Sequence, residues 1–231
     1  MLIIKGLAGA AVQLLLLGSA LIVPAALLTG DWGWKPGWQY MGIYAVLLIT
    51  STVAMGIFAP ASLEARLQPT MSDTQAADDK RATLVLLTVL FASMILMPLD
   101  GVLWQLLGRP SETVSLAGLV ISVLGFALIV WVLFANAFAI PNVADQSDRG
   151  QVVVETGPYA IVRHPMYLGI IPWFAGLGLW LQSTASLLLL VPLLGALALR
   201  IRAEERVLMQ SLDGYQDFTR RRRYRLLPYV W

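Results

Sequence analysis

The sequence predicts an all-α protein, a polytopic transmembrane helical bundle of about six membrane helices with a C-terminal helical hairpin and a cytoplasmic tail. Three observations predict it. The 231 residues are 58% hydrophobic and 13% charged, with a mean hydropathy of +0.73. Soluble domains carry about 25% charged residues, and disorder needs low hydrophobicity, so both classes are excluded. Long segments carry no charge, and the basic residues gather in alternate loops and after the last segment, on one side.

The segments follow in order. Residues 6–30, 36–63, 82–99, 113–144 and 165–199 are each free of Asp, Glu, Lys and Arg. A spanning helix needs about 20 apolar residues, so each of the first four gives one helix. Asp100 interrupts the third just after Pro98, where a structural hydrogen bond in a kinked region is expected; Asn136 is weighed in the same way. The fifth segment is too long for one helix and holds Gln182-Ser183-Thr184 at its middle. It reads as a tight hairpin, Tyr167–Leu181 and Ala185–Leu199. Its arms are short, so either the hairpin does not cross fully or its second arm continues past Arg200 into water. Lys5 followed by Val12–Val23 has the look of a signal peptide, but no small-x-small cleavage site follows cleanly, and a retained first helix is favoured.

Counting charges orients the spans. Of 16 Lys and Arg, only Lys35 and Arg109 fall on the side opposite the termini. The positive-inside rule then places both termini in the cytoplasm, with loops 29–39 and 108–114 outside. Trp32, Trp34 and Trp38 suit an aromatic belt at the outer interface. Residues 70–82 form a polar connector. The run Arg220–Arg223, beside a membrane helix, suits anionic lipid headgroups better than nucleic acid.

Several chemistries are excluded. With no cysteine and one histidine, there is no thiolate or multi-histidine metal centre and no cysteine nucleophile, and no metal is expected. No P-loop, H-E-x-x-H or G-x-S-x-G occurs. Gly176-Leu177-Gly178 lies inside an apolar helix and suits packing rather than dinucleotide binding. The polar residues concentrate instead at the two ends of the hairpin. Arg163 and His164 stand at the mouth of a helix opened by Pro165, and Arg200, Arg202, Glu204, Glu205 and Arg206 continue the last helix. Plainer readings exist for each. Arg200–Glu204 has the spacing of a surface ion pair worth about 0.3–0.5 kcal/mol, Tyr159 and Tyr167 suit headgroup anchors, and His164 suits an idle interfacial histidine.

Gly157-Pro158-Tyr159, Arg163-His164-Pro165-Met166-Tyr167-Leu168-Gly169, Glu204-Glu205-Arg206-Val207-Leu208 and Gly214-Tyr215 together resemble the isoprenylcysteine carboxyl methyltransferase family, and share the general pattern of the phospholipid N-methyltransferases. Gln146–Gly150 (Q-x-D-R-G) and Pro228–Trp231 (P-x-x-W) are similar to the bacterial members. Ala144 departs from that pattern, near a position that is often basic there. The resemblance covers roughly 136–231, dividing the chain into N-terminal membrane helices (1–135) and a C-terminal methyltransferase core (136–231). It implies an integral membrane enzyme, of bacterial inner-membrane type, that transfers a methyl group from S-adenosylmethionine to a lipophilic or lipidated acceptor entering from the bilayer. Tyr159, Arg163, His164, Pro165, Tyr167, Gly169, Glu204 and Glu205 would bind the cofactor, and Arg200, Arg202 and His164 would serve catalysis on the acceptor side. One of the two arginines would face the pocket while the other reaches the headgroups. Phospholipid N-methylation is the alternative reaction; a small transporter or a structural anchor are the competing classes.

Overall fold

The computed structural model describes residues 1–68, 77–139 and 150–231. Among them the only regular structure is helical, arranged as a polytopic bundle. Gln146, Asp148 and Arg149 of the Q-x-D-R-G segment, Ala144, and most of the 70–82 connector lie outside the described residues.

The first apolar segment forms α1 (Leu2–Leu21) and α2 (Val23–Thr29), broken just before Pro24, which stands in the first turn of α2. Helix α3 (Lys35–Phe58) leads into the short α4 (Pro60–Arg66). Helix α5 (Ala77–Leu99) passes into a π-helical turn, Asp100–Trp104. Helix α6 (Glu112–Ala135) begins at Ser111, whose hydroxyl accepts from Val114 N–H at 3.3 Å. Helix α7 (Pro165–Trp180) starts at its proline, and a 3₁₀ turn (Ala185–Leu189) opens α8 (Leu190–Ser211). The tail carries α9 (Tyr215–Arg221).

Among the described residues, five spans are long and apolar enough to cross a membrane: Leu2–Thr29, Lys35–Phe58, Ala77–Trp104, Glu112–Ala135 and Ala185–Ser211. Helix α7, with 16 residues, rises only about 24 Å against about 30 Å of hydrocarbon, so this arm of the hairpin falls short of a full crossing. The other arm does continue past Arg200, to Ser211. Leu15, Val46, Leu124 and Val191 are exposed on the bundle's outer face, while Leu21, Leu177, Leu181, Leu197 and Ile201 fill its interior. An apolar exterior of this kind suits lipid as solvent.

Local chemistry explains the kink and the hairpin. Asp100 is buried; its Oδ2 accepts from the Ser183 hydroxyl at 2.6 Å and its Oδ1 from Leu106 N–H at 2.9 Å. The expected structural hydrogen bond is therefore present, and it ties the end of α5 to the hairpin turn. In that turn Gln182 takes φ +67°, and its amide donates to the Ser115 hydroxyl at 2.9 Å. Ser183 then caps the 3₁₀ turn by accepting from Ser186 N–H at 3.0 Å. A single serine thus serves both the kink and the turn.

Helix α7 lies against α6 along a seam of small residues. A Cβ on Gly118 would meet Gly176 O at 2.9 Å, and one on Gly169 would meet Gly125 O at 2.9 Å. The two backbones touch, which is how membrane helices gain contact without a hydrophobic driving force. Gly169, expected at the cofactor, packs in the helix crossing and is not among the residues that line the cleft described next. Its missing side chain serves packing.

Candidate functional site

The bundle end that carries the arginine-rich tail holds an open cleft, whose roughly 750 Å³ of empty space includes open solvent. Its walls come from the end of α6 (Asn136), the segment 151–159, the first turn of α7, one face of α8 and α9.

The hairpin brings the two motif clusters together. Glu205, buried on α8, accepts from Arg163 Nε at 2.6 Å, and its other oxygen from Arg225 Nε at 2.7 Å. His164 Nε2 lies 3.2 Å from Glu205 Oε1. A carboxylate can only accept, so this contact requires Nε2 to carry the proton. The opposite ring nitrogen, Nδ1, lies 4.0 Å from Glu204 Oε1. Glu204 accepts from the Tyr167 hydroxyl at 2.7 Å through Oε2, and the Tyr167 ring stacks on His164 at 5.8 Å between centroids. Adjacent glutamates point about 100° apart on a helix. Here that divides their roles, with Glu205 inward as a hub of cations and Glu204 at the cleft wall.

Arg163 is less free than its motif suggests. Its Nη1 donates to the carbonyls of Arg222 at 2.8 Å and Arg223 at 3.1 Å. The tail backbone pairs with the same stretch, Arg163 N–H to Tyr224 O at 3.0 Å and His164 N–H to Arg225 O at 2.9 Å. Arg163 therefore clasps the tail against α8. Pro165, Met166 and Tyr167 line the cleft; the first-turn N–H groups of Met166 and Tyr167 have no intrahelical acceptor to bind. Tyr159 lines the opposite wall and its hydroxyl accepts from Asn136 Nδ2 at 3.0 Å. Burial pushes that hydroxyl up to about 12, so it stays neutral and hydrogen-bonding.

The two arginines further down α8 part company. Arg202 is exposed. Arg200 is buried and ion-paired with Asp79 of α5, which is also buried. The inward charge is met by a carboxylate, and Arg200 does not line the cleft. Arg200→Ala would strand Asp79 in the bundle and is expected to cost about 3–5 kcal/mol of stability. Arg202→Ala should stay within about 0.5 kcal/mol. Thermal melts of the two variants in detergent check the contrast.

The sequence reading passed over four contributors to this end of the molecule. Arg225 entered only as one of the basic residues of the tail, yet it completes the hub. Asn136 was weighed as structural, yet it lines the cleft and positions Tyr159. Tyr215 entered only as half of a motif, and Asp79 as part of a polar connector. Only Tyr215, through its place in the motif, left a signal that could have been followed.

Residues 113–214 match the family model for phospholipid methyltransferase. That segment runs from the first turn of α6 to the glycine before α9, so it holds the α6–α7 seam, the hairpin and both glutamates. The match relates this part of the chain to the integral membrane methyltransferases. No curated protein matches the chain. Helices α1–α5 and the tail with Arg225 lie outside the match.

Proposed function

We propose that the protein is an integral membrane methyltransferase that uses S-adenosylmethionine and acts on a lipophilic acceptor. The observation that carries this reading is the gathering of His164, Glu204 and Tyr167 around one cleft, within the segment that matches a methyltransferase family. The residues fit the donor. Glu204 offers a cationic group an oxygen with no close partner among the described residues, the α7 N-terminus offers N–H groups to a carboxylate, and Tyr159 and Tyr167 offer ring surface. When bound, S-adenosylmethionine supplies a methyl group activated by its sulfonium.

An apolar route supports a lipophilic acceptor. A groove of about 810 Å³ lies between α1, α3, α4, α6 and α7. It shares Arg66, Ile129 and Leu133 with a hollow of about 700 Å³ beside α5 and α8. That hollow in turn shares Met166 and Tyr167 with the cleft. An apolar chain seated along this route would place its polar end beside Tyr167 and His164. In-line alignment of donor and acceptor then supplies most of the rate.

Two reactions fit that placement. Carboxyl O-methylation of an isoprenylcysteine-like acceptor follows from the motif resemblance and needs no base, since a carboxylate is already ionised. Phospholipid-type N-methylation is favoured by the family match and by the pairing of Arg200 with Asp79, which leaves that arginine less available to an acceptor anion. An amine acceptor must lose a proton, and His164 Nδ1, on the side away from Glu205, is the group placed to take it.

The deciding experiment incubates the purified protein with methyl-labelled S-adenosylmethionine and membrane lipid extracts or prenylated cysteine analogues. Label that alkali releases as methanol identifies an ester; label that resists alkali identifies an N-methyl group. No labelled lipid product from either, with no donor binding by calorimetry, would sink the enzyme reading. For orientation, we infer that both termini are cytoplasmic. Reporter fusions at Gly108 and at the C-terminus should report opposite sides, and the same side for both would overturn the six-helix topology.

A further inference from the structure

The groove between α1, α3, α4, α6 and α7 has a definite bottom. Gly9 and Ala10 on α1 put little side chain into it, and Arg66 and Leu67 stand at its mouth, at the end of the bundle that holds the cleft. Followed inward from that end, the lining reaches Gln13 on α1, Tyr44 on α3, Phe126 on α6 and Trp173 on α7. Three of these four are aromatic, and they pack on one another. The Tyr44 and Trp173 rings stack at 5.9 Å, and Phe126 meets them edge-on at 5.4 and 6.3 Å. Stacked and edge-on pairs of this kind hold each other in place. Trp173 is fixed further: its indole N–H donates to the Tyr40 hydroxyl at 2.7 Å, and that hydroxyl is 2.9 Å from the Ser122 hydroxyl. Tyr40, one turn deeper on α3, is buried and stacked on Tyr44, so the space ends at the rings.

The depth fits one kind of occupant. The lining runs roughly 10 Å along α6, from Leu133 to Phe126, and roughly 16 Å along α3, from Met55 to Tyr44. Half of the hydrocarbon thickness of a bilayer is about 15 Å. The groove is therefore about as deep as one leaflet's chain is long. Among the described residues its lining carries no charge apart from Arg66. It reaches the cleft through the hollow that shares Ile129 and Leu133 with the groove and Met166 and Tyr167 with the cleft. A hydrocarbon chain whose polar end lies at Tyr167 runs down this route and stops at the rings. A longer chain must buckle or leave sideways, which pulls its polar end out of line with the methyl donor, and alignment is what supplies the rate.

We propose that Tyr44, Phe126 and Trp173 form a floor that measures the acceptor's hydrocarbon chain, and are specificity-determining residues for its length. This rests on the enzyme reading given above.

The test uses the full chain in lipid nanodiscs and two ladders of single-chain probes, phosphoethanolamine lipids and N-acetylcysteine thioethers. Both carry straight chains from octyl to eicosyl with a diazirine at the last carbon. Methyl transfer from labelled S-adenosylmethionine, and the residues that the diazirine marks on illumination, are read for the wild-type protein, Phe126→Ala and Ser51→Phe. Phe126→Ala removes part of the floor. Ser51→Phe raises it, since Ser51 lines the wall about 10 Å nearer the cleft than Tyr44. The expected result is a best chain length in the wild-type protein, the same in transfer and in marking of the three rings. It moves to longer chains in Phe126→Ala and to shorter ones in Ser51→Phe. Should Phe126→Ala fail to fold, Ser51→Phe decides alone. The ladder that is methylated tells which headgroup carries the chain. Where neither is methylated, the marking decides the floor, and donor binding by calorimetry decides the enzyme reading. Marking that ignores chain length means that any bilayer chain fills the groove, and overturns the floor; so does an optimum that stays in place in Ser51→Phe. Both outcomes leave the enzyme reading intact. A wild-type protein that methylates no probe and binds no donor overturns the enzyme reading, and with it the claim that the chain on the floor belongs to an acceptor.

Discussion

Glu205→Ala is expected to destabilise the protein by about 3–5 kcal/mol and to abolish donor binding in the same step. Arg163 and Arg225 both aim a guanidinium N–H at this carboxylate, and the His164 ring does so as well. Arg163 and Glu205 are both almost fully buried, so solvent does little to screen what remains once the carboxylate is gone. Removing one partner of a buried pair costs far more than the pair itself contributes. Because Arg163 and the 163–164 backbone also hold the tail, the loss should spread to residues 222–226. Glu204→Ala is the contrast. Glu204 is only partly buried and meets one firm partner, Tyr167, so it should lose affinity for the donor with about 1 kcal/mol or less of stability. Melting curves in detergent, read beside calorimetry, separate the two. If Glu205→Ala melts with the wild-type protein, the carboxylate is not the hub that holds this end together.

The contrast also marks what was legible in the sequence. The charge-free segments gave the spanning helices because length and polarity alone decide whether a segment suits lipid, and neither depends on neighbours. The hairpin turn was legible at Gln182-Ser183-Thr184 because it is the polar break in a long apolar run. The meeting of Arg163-His164 with Glu204-Glu205 followed from the same turn, since antiparallel arms return to one face. The division of labour between the two glutamates was not legible. Adjacent residues on a helix differ by about 100°, and which one faces the bundle depends on how α8 is rotated, a matter of long-range packing. For the same reason Asp79 and Arg225 were invisible as partners. Each lies far in sequence from the charge it meets or comes from a segment whose basic composition already had a plainer explanation. The packing of Gly169 was not legible either, because its motif neighbours line the cleft while its own helical angle turns it into the α6 seam.

That seam gives the other large effect. Gly118, Ser122 and Gly125 on α6 and Gly169, Trp173 and Gly176 on α7 recur at the same spacing of four and three residues, so each set forms one stripe. Gly176→Ala should separate the stripes. Its Cβ would run into the Gly118 carbonyl oxygen and lie 2.5 Å from Ser122 N, atoms of backbone that cannot rotate aside as a side chain can. Overpacking typically costs about 1–3 kcal/mol and more where backbone must move, so the upper part of that range is expected. Gly195→Ala on α8 is the control. Nothing lies within 4 Å of the new methyl, and a helical alanine in place of glycine should be neutral or stabilising by up to about 1 kcal/mol. The effect should reach the site although Gly176 lies about 16 Å along α7 from Pro165. Asn136, at the end of α6, holds Tyr159, whereas α7 carries His164, Met166 and Tyr167, so the two walls of the cleft ride on the two helices that the substitution forces apart. Gly176→Ala should therefore lower both the melting temperature and the donor affinity, while Gly195→Ala should change neither for the worse. Equal melting temperatures for the two variants would mean that the helices can part at no cost, and the seam would not be what aligns the cleft.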